Sequence, residues 1–317
     1  MKSILLVRLG GLGDLLAVLP SIRFVRSLYP GVRLTLVGRP EYGILYRTTG
    51  WVDALEPGSG ARFARIFSED ALAAEEGRIW LAGFDFVLGW MQPESGAGFR
   101  ESLGRLGVEG KILTGDPRSG LTVSRHFFDL TARSLEAGGT GLPSYEDCLA
   151  LPLGVCQRRA GRVLAVRAGI GPGCRYAVIH PGAGSPAKRW PLGNFLEAAR
   201  FLAERGLGGL VVTGEAEAAL EIGLRAADLP PSWQRLSRPG LIDLAGLLAE
   251  CSLYLGNDSG ITHLAAACGA PVLAVFRADF ATAWSPVGRS LVFSAPEVSS
   301  IDPGAVTAAA ARILSGR

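Results

Sequence analysis

At 317 residues, with 48% hydrophobic side chains, 43 glycines and 19 prolines, the chain has the apolar mass of about two folded domains and none of the bias of a fibrous or disordered protein. Five cysteines (Cys148, Cys156, Cys174, Cys251 and Cys268), odd in number and without a Cys-x-x-Cys pair, argue against a disulfide framework or a zinc site and fit a reducing cytoplasm. Net charge is only +3, and no nucleic-acid partner is expected.

The charge is unevenly spread. Residues 1–50 carry seven basic side chains (Lys2, Arg8, Arg23, Arg26, Arg33, Arg39, Arg47) against Asp14 and Glu41. That excess suits an anionic substrate or peripheral contact with an acidic lipid surface, and for Arg23 and Arg26 equally a solvated helix face. The apolar N-terminus is interrupted by Arg8 and Asp14 and lacks a cleavage site, so it does not read as a signal peptide. Leu264 to Phe276, an apolar run of 13 residues, is too short to span a bilayer.

In chain order, a β-run from Ser3 to Leu9 leads into Gly10-Gly-Leu-Gly-Asp14. A helical pattern (Leu15, Leu16, Leu19, Ile22, Val25, Leu28) follows, and Pro30-Gly31 ends it before a second β-run, Val32 to Val37. This βαβ unit implies a parallel sheet. Further β-runs are Phe84 to Leu88 and Lys111 to Leu113, with a helix near Phe127 to Leu135. From about Glu136 to Arg175 the chain reads as a loop rich in Gly, Pro and Arg, and marks a boundary. The alternation then restarts, with strands at Tyr176 to His180, Gly209 to Thr213, Ser252 to Leu255 and Pro271 to Phe276. Helices fall at Leu192 to Arg205, Ala216 to Ala227, Ile242 to Glu250 and Thr262 to Cys268, and a short Ala-rich helix, Ala305 to Leu314, closes the chain.

Two buried strands stop at glycines and polar side chains before a helix: Tyr176-Ala-Val-Ile-His-Pro-Gly-Ala-Gly-Ser-Pro-Ala-Lys188-Arg-Trp-Pro191 and Leu253-Tyr-Leu-Gly-Asn-Asp258-Ser-Gly-Ile-Thr-His263. Such strand ends line the crevice of an open α/β sheet, where backbone N–H groups seat a phosphate. Lys188 is one of only three lysines, and its compact ammonium suits a diphosphate, although a solvated loop lysine is the plain alternative. Asp258 reads either as a helix N-cap or, with Ser259 and Gly260, as part of an anion seat; His263 reads as a ligand contact or a local hydrogen-bonding residue. Asp14 reads as an N-cap or as a general base taking a proton from a sugar hydroxyl. A nicotinamide site fits poorly, because Leu16 stands where the fingerprint needs its third glycine and Gly38-Arg39 replaces the ribose-binding acid.

The N-terminal segment Ile4 to Arg23 with its Gly10-Gly-Leu-Gly-Asp14 core, the central His180-Pro-Gly-Ala-Gly-Ser-Pro-Ala-Lys188-Arg-Trp-Pro191 and the late Gly256-Asn-Asp-Ser-Gly260-Ile-Thr-His263 together resemble the ADP-heptose:lipopolysaccharide heptosyltransferases, family 9 of the glycosyltransferases. The resemblance implies an α/β protein of GT-B fold, with two Rossmann-like parallel-sheet domains facing a central cleft. Residues 1–160 are then the acceptor domain, 161–300 the donor domain, and 301–317 a helix crossing back to the first. It implies an inverting, metal-independent transfer of heptose from ADP-heptose to a lipopolysaccharide inner core or related glycan, with no cofactor beyond the ADP-sugar. Alternatives are a different nucleotide sugar, a non-lipid acceptor, or nucleotide-sugar binding without catalysis. Asp14 would be the base and Lys188 the diphosphate contact. Gly11, Gly13, Gly182, Ser185, Asp258, Ser259, Gly260 and His263 would bind substrate, and Glu215 the ribose, with Glu217 competing for that role. The acceptor is expected to be an anionic glycolipid, met at the inner face of a bacterial inner membrane, with Arg39, Arg47, Arg62, Arg65, Arg100, Arg118 and Arg125 as candidates to bind it. Removal of Asp14 or Lys188 is expected to abolish turnover without loss of fold, and Trp190 and Trp284 are expected near the cleft. One departure stands out: Phe276 is followed by Arg277, where the family usually has glycine.

Overall fold

The computed structural model describes residues 1–115, 120–135, 141–214 and 217–316. The chain forms two compact units, Met1–Leu149 and Ala150–Arg317. The first runs β1 (Ser3–Val7), α1 (Leu12–Ala17), α2 (Leu19–Leu28), β2 (Arg33–Gly38), α3 (Pro40–Thr48), β3 (Ala54–Pro57), α4 (Ala61–Arg65), α5 (Ala71–Leu81), β4 (Phe86–Met91), α6 (Pro93–Arg105), β5 (Gly110–Thr114) and α7 (Val123–Ser134). Its five strands are parallel, in the order β3-β2-β1-β4-β5. Alternation along β1 sends Leu5 and Val7 into a core with Phe63, Leu81 and Phe99 and turns Ile4 and Leu6 to the other face. All four are buried, so both faces of the central strand are covered.

The single helical pattern expected after Asp14 is two helices. Pro20 has no N–H to donate to the Leu16 carbonyl, so the ladder breaks around Val18, whose N–H turns back to Leu15 at 3.2 Å. The Leu15 carbonyl also accepts the hydroxyl of the fully buried Tyr46 at 2.7 Å. α1 is thereby a short separate element that carries Asp14.

The second unit runs α8 (Val155–Arg167), β6 (Tyr176–His180), α9 (Leu192–Ala203), β7 (Gly208–Thr213), α10 (Ala218–Ala226), β8 (Trp233–Ser237), α11 (Leu241–Glu250), β9 (Leu253–Asn257), α12 (Gly260–Ala267), β10 (Val272–Arg277), α13 (Ala278–Ala281), β11 (Ser290–Ala295) and α14 (Pro303–Leu314). Its six parallel strands follow the order β11-β10-β9-β6-β7-β8. Ala177 and Ile179 of β6 pack with Phe195 and Leu202 of α9. On the other face the Tyr176 hydroxyl donates to the Leu247 carbonyl of α11 at 2.7 Å.

Two expectations about domain limits change here. The stretch read as a loop contains α8, which a boundary at residue 160 would cut, and α8 belongs with the second unit because it lies directly against α11. Arg158 and Arg162 pair with Glu250 across that contact at 3.1 and 3.2 Å. α14, expected to cross to the first unit, buries Val306, Ala309 and Ala310 in the core of the second, against α9. Its Ala-rich face fits closely there, and Asp302 caps it through the N–H groups of Gly304 and Ala305.

The α8–α11 contact admits no side chain at its centre. A Cβ on Gly161 would lie 2.0 Å from the Gly246 carbonyl carbon, and one on Gly246 would lie 2.0 Å from the Gln157 carbonyl oxygen. Gly161→Leu should therefore lower unfolding stability by about 2 kcal/mol or more, the overpacking cost outweighing the gain in helix propensity. Urea denaturation measures this, and a midpoint equal to wild type would show that the two helices can separate freely.

Candidate functional site

In each sheet the strand order reverses once, between β1 and β4 in the first unit and between β6 and β9 in the second. Ligands of doubly wound sheets bind beyond the carboxyl ends of the strands at this reversal. The segments picked out in the sequence lie there: Gly10 to Asp14 after β1, Pro181 to Trp190 after β6, and Asp258 to His263 after β9.

In the second unit Asn257, with no exposure to solvent, joins two of these segments. Its Oδ1 accepts the Trp190 N–H at 2.9 Å, and its Nδ2 donates to the carbonyls of Pro181 at 2.9 Å and Gly182 at 3.3 Å. The loop after β6 is thus tied to the end of β9, and this loop carries Lys188 back to Asp258. Lys188 Nζ lies 2.6 Å from Asp258 Oδ2 in an ion pair whose acid is 8% exposed and whose lysine is 28% exposed. The ammonium also lies 4.4 Å from the centroid of the Phe280 ring. Lys111, by contrast, donates to the Ser134 carbonyl at the end of α7.

The cap of α12 is Ser259, whose Oγ accepts from the Thr262 N–H at 3.3 Å, so Asp258 is not the cap and its carboxylate is committed to Lys188. Gly260 and Ile261 set their N–H groups in the open first turn, at the positive end of the helix. His263 lies one turn along, its ring 6.3 Å from that of Trp284. Ser185 precedes a short 3-10 turn, Pro186–Lys188, and its carbonyl accepts the Lys188 N–H. Trp190 is a core residue, 2% exposed, with its indole N–H on the Ile301 carbonyl at 3.1 Å.

Gly182 has a packing reason to be glycine. A Cβ there would lie 2.5 Å from Glu217 Oε1, and Glu217 is buried with Oε2 on the Gly214 N–H at 2.8 Å. Glu217 is therefore a loop brace behind β6. Glu215 lies outside the described residues, as does Arg118. His180 is buried, with Nδ1 on the Val212 carbonyl at 3.0 Å. Burial pushes the imidazole pKa down, opposed by that carbonyl and by Glu217.

At the first unit's edge, Asp14 is held on both oxygens. Oδ1 pairs with Arg8 at 2.7 Å, and Oδ2 accepts the Gly11 N–H at 2.9 Å. Arg8 is buried; its other donors reach the Asp14 carbonyl at 3.0 Å and the Trp90 carbonyl at 3.1 Å, and its guanidinium lies over Phe127. Burial pulls its pKa down and Asp14 opposes this. Gly10, with φ +118°, leaves room for the carboxylate: a Cβ there would lie 2.6 Å from Asp14 Oδ2. Gly11 is the N-cap of α1, with its N–H on Asp14, and Gly13 sits inside the helix's first turn. Each carboxylate oxygen retains an unused lone pair, and the side chain is 32% exposed. The role of Arg8 was missed in the sequence; its signal is a cation closing an apolar strand, which needs a buried partner.

Of the arginines considered for an acceptor, Arg62 pairs with Glu56, Arg65 with Glu76 and Arg125 with Asp129, while Arg100 donates to the Ile112 carbonyl. Arg47 is exposed in the last turn of α3. Arg39 is exposed and lines a pocket with Arg8, Gly10 and Tyr42, with no carboxylate partner among the described residues. No cluster of three metal-ligating side chains occurs among the described residues, and no helix there is long and apolar enough to cross a membrane.

Two doubly wound parallel-sheet units are the architecture of a GT-B protein. Residues 130–300, more than half of the chain, match glycosyltransferase family 9 (heptosyltransferase), and the chain belongs to that family. It is 37% identical over 96 residues to lipopolysaccharide heptosyltransferase 2 of Escherichia coli, a stretch covering 29% of this chain and 27% of that relative. In fold it is similar to a glycosyl transferase family 9 protein from Veillonella parvula, with TM-score 0.80, 16% identity and coverage of 100% and 98% of the two chains. It is also similar to the E. coli heptosyltransferase WaaC solved with ADP, with TM-score 0.70, 18% identity and coverage of 98% and 100%.

Two measurements test this geometry. Asn257→Leu should cost about 2–3 kcal/mol, because the Trp190 N–H loses its buried acceptor; an unchanged denaturation midpoint would contradict the tie. Because folding lowers the His180 pKa, the unfolded chain binds the extra proton as pH falls through its ordinary value of about 6.5. Stability should therefore be full above that pH and decline below it, and the slope between roughly pH 6.5 and 5.5 should flatten in His180→Gln.

Proposed function

We propose that this chain is an inverting glycosyltransferase that moves heptose from ADP-heptose to a lipopolysaccharide inner core or a related anionic glycan. The observation that carries the reading is the Lys188–Asp258 pair beside the open first turn of α12. A lysine held by a buried acid next to free helix N–H groups is a seat for a diphosphate leaving group. The name of the E. coli relative and the ADP bound to WaaC support ADP-heptose as the donor.

The reaction is a single displacement. The acceptor hydroxyl loses its proton to Asp14 as its oxygen bonds the anomeric carbon, and the bond from that carbon to the diphosphate oxygen breaks. Negative charge gathers on ADP, where Lys188 and the Gly260 and Ile261 N–H groups take it up, with no resident metal ion. Arg8 and the Gly11 N–H hold the Asp14 carboxylate in one orientation, which a base needs more than it needs high basicity. Arg39, in the pocket that Arg8 and Gly10 also line, binds an anionic group of the acceptor, which also suits a site of work at the inner face of a bacterial membrane.

Turnover is followed as ADP release from ADP-heptose in the presence of acceptor. Asp14→Asn should lower kcat by on the order of 10²–10³ or more with little change in ADP affinity. Lys188→Ala should lose both, and it also leaves Asp258 buried without a partner, at a cost of about 2–3 kcal/mol; Lys188→Ala with Asp258→Asn separates the two effects. Arg39→Ala should raise the KM for acceptor alone, and excess EDTA should leave the rate unchanged. Near-wild-type turnover by Asp14→Asn would remove the base assignment, and stronger binding of UDP or GDP than of ADP would change the donor.

A further inference from the structure

The residue after Phe276 is arginine, and the fold puts it at the same edge as Lys188. Arg277 ends β10, the neighbour of β9, and the Asp258 N–H is bonded to the carbonyl of Val275, two residues before Arg277, at 3.1 Å. Its guanidinium carbon lies 5.9 Å from the centroid of the Phe280 ring, the ring that also holds Lys188 Nζ at 4.4 Å. One aromatic side chain thus spaces two cations of different geometry. Arg277 is a third exposed, and Nε and one terminal nitrogen form a fork on Asp279 at 3.1 and 2.9 Å. Asp279 is itself half exposed and so is a screened partner that a stronger anion can displace, unlike the buried Asp258. The guanidinium keeps its remaining terminal nitrogen for a further acceptor.

We propose that Arg277 is a second phosphate-binding cation of the donor site, contacting the diphosphate of the nucleotide together with Lys188 and using Phe280 as the spacer that fixes the two charges. This deepens the donor reading above and rests on it. The two cations divide the work. Lys188, a compact ammonium, neutralises charge at a point, while the planar fork of Arg277 orients a phosphate through paired oxygens. A second cation there makes diphosphate binding more dependent on ionic strength.

The test is calorimetric titration of the full chain with ADP and, by competition, with adenosine, for wild type, Arg277→Gln, Arg277→Lys and Lys188→Ala. Arg277→Gln should lose roughly ten- to a hundredfold in ADP affinity while adenosine affinity stays the same. Its ADP affinity should also fall less steeply with added salt than that of wild type, and Arg277→Lys should recover part of the loss. Unchanged ADP affinity in Arg277→Gln, with loss in Lys188→Ala, would overturn the role of Arg277 and leave the donor reading standing. An equal loss of ADP and adenosine affinity would mark Arg277 as a structural residue and also overturn it. If wild type bound neither ADP nor adenosine, the donor reading would fall, and this assignment with it.

Discussion

The side-chain amide of Asn257 has no access to water, so its donor and acceptor must be satisfied by the protein, and the groups that satisfy it all belong to the loop after β6. From that constraint the second unit's ligand edge follows. With Pro181, Gly182 and Trp190 fixed to the end of β9, the seven residues between Gly182 and Trp190 have to arch over the strand ends, and Lys188 comes down on Asp258. Glu217 braces the base of the arch against Gly182, and the Trp190 indole anchors its far end in the core. The Lys188–Asp258 pair is therefore anchored to the core beneath it, as the proposed role of a charge-stabilising site without reorganisation requires.

The first unit solves a similar problem with the charges exchanged. There the buried member is the cation, Arg8 at 3% exposure, and the accessible member is the acid, Asp14 at 32%. In the second unit the buried member is the acid, Asp258, and the accessible member is Lys188. Each unit thus presents one working charge and hides the counter-ion that aims it. An accessible carboxylate is set at one sheet edge and an accessible ammonium at the other, from the same architecture used twice.

Much of this was legible in the sequence because the central strands of parallel sheets are continuous apolar runs: β1, β6, β9 and β10 stand out, and so do the glycine and polar residues that end them. The edge strands β3, β8 and β11 did not, since half-exposed segments such as Trp233-Gln-Arg-Leu-Ser237 carry too little apolar pattern. α8 was hidden by its arginines, two of which, Arg158 and Arg162, pair with Glu250, while its buried face is made of Gly161 and Ala165 rather than large apolar residues. At the site, residue identity was visible but pairing was not. Asp14, Lys188 and Asp258 could be named, whereas the counter-ion Arg8, the tie through Asn257 and the packing role of Gly182 depend on contacts between segments up to 76 residues apart. The direction of the Trp190 side chain was equally hidden: a large side chain beside a lysine can turn either way, and here it turned into the core.

The inverse pairs also bear on how such a chain can diverge. Loss of Lys188 leaves a carboxylate stranded in the interior, and loss of Asp14 does the same to a guanidinium, so a single replacement at either position harms the fold as well as the chemistry. Neither partner can drift alone. A variant that abandoned catalysis while keeping the scaffold would have to exchange both members of a pair together, because either one alone leaves the other charge stranded.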